Sequence, residues 1–217
     1  MISKEALKEA VRRAVEAGRG RKFKQGIELQ ITLENLDLKK TEERISFEAL
    51  LPHGNGRERK VAFFAEGEMA VRAKEAGADL VLSREELEAL GKDPKRAKKL
   101  AEEYDLFLAQ PDLMPLAGRL LGRILGPRDK IPKPVPPNAN LSQVLERYRK
   151  LLFLRTKDQP AIRARIGSED MPEDKVAENA LSVLEALELA LQKGKGRLKA
   201  IYLKTTMGKP VKVEVKG

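Results

Sequence analysis

Four consecutive residues near the end of the chain, Thr205-Thr206-Met207-Gly208, combine two hydroxyls, a flexible thioether and a bare backbone. Hydroxyls hydrogen-bond phosphate or ribose oxygens, methionine lies flat on an exposed base or sugar, and glycine admits close backbone approach. An ordinary hairpin tip has the same composition, so the motif alone leaves both readings open. Two other clusters carry charge. Lys22, Phe23 and Lys24 lie in the basic loop from Arg19 to Gln25, with Glu28 just beyond it. Lys157, Arg163, Arg165 and Gly167 form the second cluster. Arg163 and Arg165 are two apart on an extended run, so they share one face and cannot both be buried and unpaired. Each cluster reads as a solvated face or as an edge that meets phosphate.

Catalytic chemistry finds little support. His53 is the single histidine, and no nucleophile motif, paired metal ligand or acid partner accompanies it; hydrogen bonding beside a chain crossing is the simpler role. The absence of cysteine removes disulfides, thiolate zinc sites and a thiol nucleophile. No metal or other cofactor is expected. The run Val61–Ala65 is followed by neither a Gly-x-Gly-x-x-Gly fingerprint nor a P-loop lysine, which argues against a nucleotide site there. Gly118, Gly122 and Gly126 recur every fourth residue without an apolar twenty-mer around them, so close helix packing is expected rather than a membrane dimer. The stretch Lys92–Lys99 reads as a charged helix face, with secondary RNA contact as the alternative.

The chain has 217 residues, 41% of them hydrophobic, enough for one or two domains with real cores. A formal net charge of +10 biases partners toward phosphate polymers or anionic surfaces. The excess is spread: residues 1–53 and 152–217 hold 24 basic against 18 acidic residues, and 54–151 hold 19 against 15. No apolar run is long enough to span a bilayer, and Met1 leads straight into a charged helix, so a cytoplasmic protein is expected.

The elements that must position these clusters follow from periodicity. Ser3 caps a helix with Leu7, Val11 and Ala14 on one face, ending near Gly18. Ile27, Leu29, Ile31 and Leu33 alternate with polar residues in a half-buried strand, and Ile45–Leu50 forms another. After Pro52-His53-Gly54 the texture changes to apolar runs (Val61–Ala65, Leu106–Ala109) and a short strand (Asp79–Leu82) separated by helices, two of them capped by Ser83 and Asp93, and then a proline-rich loop from Gly126 to Pro137. A helix over Leu141–Lys150 closes this part. Strands alternating with helices define a Rossmann-like three-layer α/β domain. From Leu152 the half-buried pattern returns: strands at Leu152–Thr156 and Ala161–Ile166, and a long helix entered at Ser168–Pro172. A break at Gly194–Arg197 precedes a terminal hairpin from Lys199 to Val215.

The fold class is therefore two-domain, α+β and α/β. A discontinuous α+β domain, residues 1–53 and 152–217, carries a split β-α-β-like antiparallel sheet, and an α/β domain, residues 54–151, is inserted into it. His53, Gly54, Leu151 and Leu152 stand at the two crossings and form the expected hinge.

Four stretches in order now gain weight together: Arg21–Gln25, Leu51–Arg57, Leu125–Pro134 and Lys204–Gly208. Over essentially the whole chain they resemble the ribosomal protein L-one family of the large-subunit mobile stalk, in its archaeal form. Three positions depart from the family pattern: Asp129 replaces a usual Gly, Lys209 separates Gly208 from Pro210, and Ala200 stands where many members carry Ser.

The resemblance implies an RNA-binding protein rather than an enzyme. All three clusters would face large-subunit stalk rRNA, with Phe23 packing under the contact surface and Glu28 accepting hydrogen bonds from bases or 2′-hydroxyls. It also implies a monomer when free, help in moving exit-site tRNA out of the assembly, and repression of translation through its own mRNA leader. The competing expectation is a nucleotide-binding enzyme built on the inserted domain.

Overall fold

The structure, a computed structural model, describes residues 2–40, 43–192 and 196–214. Val215, the last residue of the expected hairpin, and Gly194 and Lys195 in the expected break lie outside the described residues. The chain forms two compact units, Met1–Arg57 with Lys150–Gly217, and Glu58–Arg149.

Helix α1 (Lys4–Gly18) opens the first unit, with the Ser3 hydroxyl accepting the Ala6 N–H as N-cap. Leu7, Ala10, Val11 and Ala14 form its buried stripe. Strand β1 (Gly26–Glu34) alternates as its sequence requires, Ile27, Leu29, Ile31 and Leu33 being buried and Glu28, Gln30 and Thr32 half-buried. Strand β2 (Ser46–Leu50) follows.

The second unit runs β3 (Val61–Phe64), α2 (Gly67–Glu75), β4 (Leu80–Leu82), α3 (Arg84–Lys92), α4 (Pro94–Glu103), β5 (Leu106–Ala109), α5 (Met114–Leu125), β6 (Lys133–Pro134) and α6 (Leu141–Lys150). Its strands pair in parallel in the order β4-β3-β5-β6. β3 and β5 are buried at every position, as strands covered on both faces must be. Ser83 and Glu86 form a capping box on α3, and Asp93 accepts the Lys95 and Arg96 N–H groups at the start of α4.

Three expectations for this unit are refined. The proline-rich loop contains the short edge strand β6, where Pro134 is tolerated because an edge strand has one side free of ladder donors. Asp129 keeps the left-handed backbone that a glycine there would adopt, at φ 58° and ψ 30°, a conformation that Asp tolerates better than most residues. The glycine row does not pack closely: a Cβ on Gly118, Gly122 or Gly126 would meet nothing within 4 Å among the described residues. Instead Gly91 on α3 admits Leu120, whose Cδ2 would lie 2.7 Å from a Cβ at that position.

The chain returns to the first unit with β7 (Leu151–Arg155), β8 (Ala161–Ser168), α7 (Glu173–Leu191), β9 (Arg197–Thr205) and β10 (Val211–Lys212). β2 and β7 pair as a separate two-stranded antiparallel sheet, and the other four strands form an antiparallel sheet in the order β10-β9-β1-β8. One face of that sheet (Leu29, Ile31, Ile162, Ile201, Leu203) shares a core with Val11 of α1 and Val183 and Leu187 of α7.

A bulge marks the Ser168 end of β8. Ile27 pairs with Gly167 but Glu28 with Arg165, which takes Ile166 out of the ladder. Asn179 of α7, fully buried, answers it: Nδ2 donates to Ile166 O at 2.8 Å and to Gly54 O at 2.7 Å, while Oδ1 accepts the His53 N–H at 3.1 Å. Gly56, at φ 71°, lies so close to β8 that a Cβ there would be 2.9 Å from Ser168 N. These contacts carry residues 54–57 with the first unit, so the division falls after Arg57 instead of His53, and after Arg149 instead of Leu151. Leu151 and Leu152 pair with Leu50 and Ala49.

His53 Nε2 also meets Glu178 Oε2 at 2.5 Å, and Lys4 Nζ meets Glu178 Oε1 at 2.7 Å. The Lys4 ammonium first, then the His53 ring, lowers the Glu178 carboxyl from its ordinary 4.5 to about 2. The folded value is the depressed one, so the contribution is complete above the unfolded value and disappears as pH falls from about 4.5 toward 2. Thermal melts across that window should show wild type losing stability faster than Glu178→Gln. Parallel decline of the two proteins would mean that the pair contributes nothing.

Candidate nucleic-acid interface

Helices α1 and α7 take one face of the four-stranded sheet, and the register decides what the other face offers. Partners across antiparallel strands share a face, about 4.8 Å from strand to strand. Glu28 pairs with Arg165 on one side and Lys204 on the other. Gln30 pairs with Arg163 and Tyr202, and Tyr202 in turn with Lys212. The open face thus sets four cations around one carboxylate, one amide and one phenol. Lys204 Nζ donates to Thr206 O at 3.1 Å and lies 3.9 Å from Glu28 Oε2. The Arg165 side chain lies over Gly26, where a Cβ would be 2.8 Å from Nε, and that Nε is buried with no hydrogen-bond partner among the described residues.

The sheet ends at the Thr-Thr-Met-Gly turn, where the expectation of two displayed hydroxyls is corrected. Thr205 is fully buried, because it continues the inward parity of Ile201 and Leu203. It is wedged between Gly18 and Gly208, and a Cβ on either glycine would collide with its Oγ1. Thr206 Oγ1 accepts the Gly26 N–H at 3.0 Å, and the Thr206 N–H donates to Gly26 O at 3.0 Å. The Thr206 hydroxyl fastens the turn, Thr205 packs beneath it, and what the turn displays is Met207, 57% exposed.

Phe23, expected beneath the surface, is 51% exposed on the neighbouring loop. A loop between α1 and β1 has no apolar layer to cover it, so the ring and the Met207 thioether are offered outward from the same end of the sheet. Lys22 is exposed, whereas Lys24 is paired with Asp170. That ammonium first, then the Ser168 hydroxyl, holds the Asp170 carboxyl below the usual carboxylate range.

Two other expected residues sit elsewhere. Gly167 is buried beneath α7, where a Cβ would be 2.9 Å from Val176 Cγ2, so its role is packing. Lys157 lies beyond the far end of β8, and that end, Ala161, is itself roughly 20 Å along the strand from Gly167 at 3.3 Å per residue. With Arg155, Gln159 and Arg163 it lines a cleft of about 490 Å³. Residues given no site role by the sequence are Gln30, Tyr202, Lys204 and Lys212 on the open face, and Gln25 and Asn179 behind it. Period-two parity was the available signal for the first three, since Gln30 follows Glu28 by two and Tyr202 and Lys204 alternate with buried Ile201 and Leu203.

A basic, hydrogen-bonding sheet face that ends in exposed Met and Phe suits a polyanion with unstacked bases. Among the described residues no group of three His, Asp or Glu could hold a metal ion. The model of the Ribosomal protein L1p/L10e family matches residues 7–209. Large ribosomal subunit protein uL1 of Methanosphaera stadtmanae is 50% identical over 209 residues, covering 96% of this chain and 99% of that protein. The uL1 proteins of Methanothermobacter thermautotrophicus (47% identity; 94% and 97% covered) and Thermococcus kodakarensis (46%; 98% and 99%) are similarly close. The chain belongs to the ribosomal protein L1 family. That membership sets aside the nucleotide-dependent enzyme.

Proposed function

We propose that this chain is a structural protein of the large ribosomal subunit in the cytoplasm, and that its first unit binds the rRNA of the mobile stalk through the open sheet face and the Met207 turn. One observation carries the reading: the helices cover one face of the β10-β9-β1-β8 sheet, and the uncovered face gathers Arg163, Arg165, Lys204 and Lys212 around Glu28 and Gln30. Affinity comes from the cations, which release counterions from phosphate. Specificity comes from Glu28 and Gln30, which exchange hydrogen bonds with base edges or 2′-hydroxyls, and from Met207 and Phe23 against unstacked bases. A messenger leader folded like the stalk rRNA would occupy the same face, which is how binding becomes repression of the chain's own translation. The release of exit-site tRNA belongs to the same reading.

Filter binding to a stalk rRNA fragment and to a scrambled RNA of equal length tests it. Wild type should prefer the stalk fragment. Arg163→Ala should weaken both RNAs alike and reduce the salt slope by about one, as loss of a phosphate contact does. A change in discrimination at constant slope would move Arg163 from phosphate to base contact. No preference by wild type would remove the proposal.

A further inference from the structure

Gln25 ends the basic loop, and unlike its exposed neighbours from Arg21 to Lys24 it is buried, at 1% exposure. Both ends of its amide are used. Nε2 donates to Gly18 O at 2.7 Å and to Glu169 Oε2 at 3.3 Å, while Oε1 accepts the Met207 N–H at 3.1 Å. Its backbone joins the same group: the N–H donates to Glu169 Oε1 at 3.0 Å, and the carbonyl accepts the Glu169 N–H at 3.1 Å. The end of α1, the turn after β8 and the Met207 turn therefore meet on one side chain.

We infer that Gln25 is a positioning residue for RNA recognition, holding the Met207 turn in register with the sheet face although it makes no contact with RNA itself. The inference rests on the stalk-RNA reading above. The chemistry is selective for an amide. Glu cannot donate to Gly18 O, and an apolar side chain of the same length can neither donate nor accept. Neighbouring amides of the turn have backbone acceptors, Thr206 N–H on Gly26 O and Gly208 N–H on Thr205 O, whereas the bond of Met207 runs to the Gln25 side chain. Without that bond the residue displayed toward RNA is the one released. A turn ordered in advance spares the complex the cost of ordering it on binding. Recognition by shape then suffers while charge, and with it non-specific attraction, is unchanged.

The test uses the full chain with Gln25→Met, which keeps volume and removes both polar ends, and with Glu169→Ala, which removes two of the anchors on Gln25 from a half-buried site. Filter binding is measured to the stalk fragment and to scrambled RNA at two salt concentrations, and exchange of the Met207 amide is followed by NMR. Gln25→Met should lose about tenfold of stalk-RNA affinity, with scrambled-RNA binding and salt slope unchanged and the Met207 amide exchanging faster. Glu169→Ala should lose discrimination in the same direction by a smaller factor. Full discrimination in folded Gln25→Met overturns the inference, and so does equal weakening toward both RNAs. If Gln25→Met does not fold, undiminished discrimination in Glu169→Ala overturns it. Failure of wild type to discriminate removes the RNA reading and this inference together, whereas discrimination by wild type that Gln25→Met retains removes the inference alone.

Discussion

Gly208→Val is expected to lower affinity for stalk rRNA by about a hundredfold, ~2.7 kcal/mol, while leaving non-specific RNA binding within about twofold, since no charge changes. A Cβ at position 208 collides with Thr205 Oγ1 and lies 3.3 Å from the Gly18 Cα. Thr205 cannot retreat, because it is fully buried with Gly18 on its other side. The turn must lift instead. That breaks the Thr206–Gly26 pair and the Met207–Gln25 bond, each roughly 0.5–1.5 kcal/mol net, and misplaces Met207. The clash also predicts a rescue. Thr205→Ala deletes an oxygen that has no hydrogen-bond partner among the described residues, so it should restore part of the binding lost in Gly208→Ala, a coupling that a double-mutant cycle measures. Wild-type discrimination in Gly208→Val would return the turn to the status of an ordinary hairpin tip.

Asn179→Ala should produce the largest loss of stability. Its three hydrogen bonds satisfy Ile166 O at the bulge and His53 N–H and Gly54 O at the crossing. Truncation leaves those groups with no partner supplied by α7, and a buried orphan costs about 1–3 kcal/mol. Water reaches part of the crossing, so a total of about 3 kcal/mol is expected, or roughly 6–12 °C in Tm for a chain of this size. Asn179→Asp should also be damaging, because a carboxylate cannot donate to either carbonyl. Melting temperatures within a degree or two of wild type would show that the bulge and crossing find other partners.

These two residues mark where the sequence was readable and where it was not. Local signals were explicit: Ser3 and the Ser83–Glu86 box announce helix starts, and the alternation of Ile27 to Leu33 announces a strand with one polar face. The inward position of Thr205 was also legible, by extending the parity of Ile201 and Leu203 by one step, although a hydroxyl residue at a turn suggests display rather than burial. Asn179 lies within the apolar stripe of Val176, Ala180 and Val183, which marks it as buried. Its partners are set by a bulge, and a bulge leaves no periodic trace. The strand β6 hides in a proline-rich segment for the same reason, since two ladder residues at an edge impose no pattern. Gln25 closes a basic loop, and a neutral amide ending a run of cations is itself a sign of a different duty. The glycine row at 118, 122 and 126 carried a spacing without the packing that such spacing suggests.

If the open face of the four-stranded sheet, with the Met207 turn, is the RNA surface, RNA must lie against it in the complex. Photo-cross-linking the full chain to a stalk rRNA fragment, with adducts mapped by mass spectrometry, tests it most directly. Adducts are predicted at Phe23, Tyr202 and Met207, with competition by unlabelled stalk fragment and not by scrambled RNA. Adducts confined to the basic helix faces of the second unit, at Lys95–Lys99 or at Arg119 and Arg123, would place the RNA surface there instead.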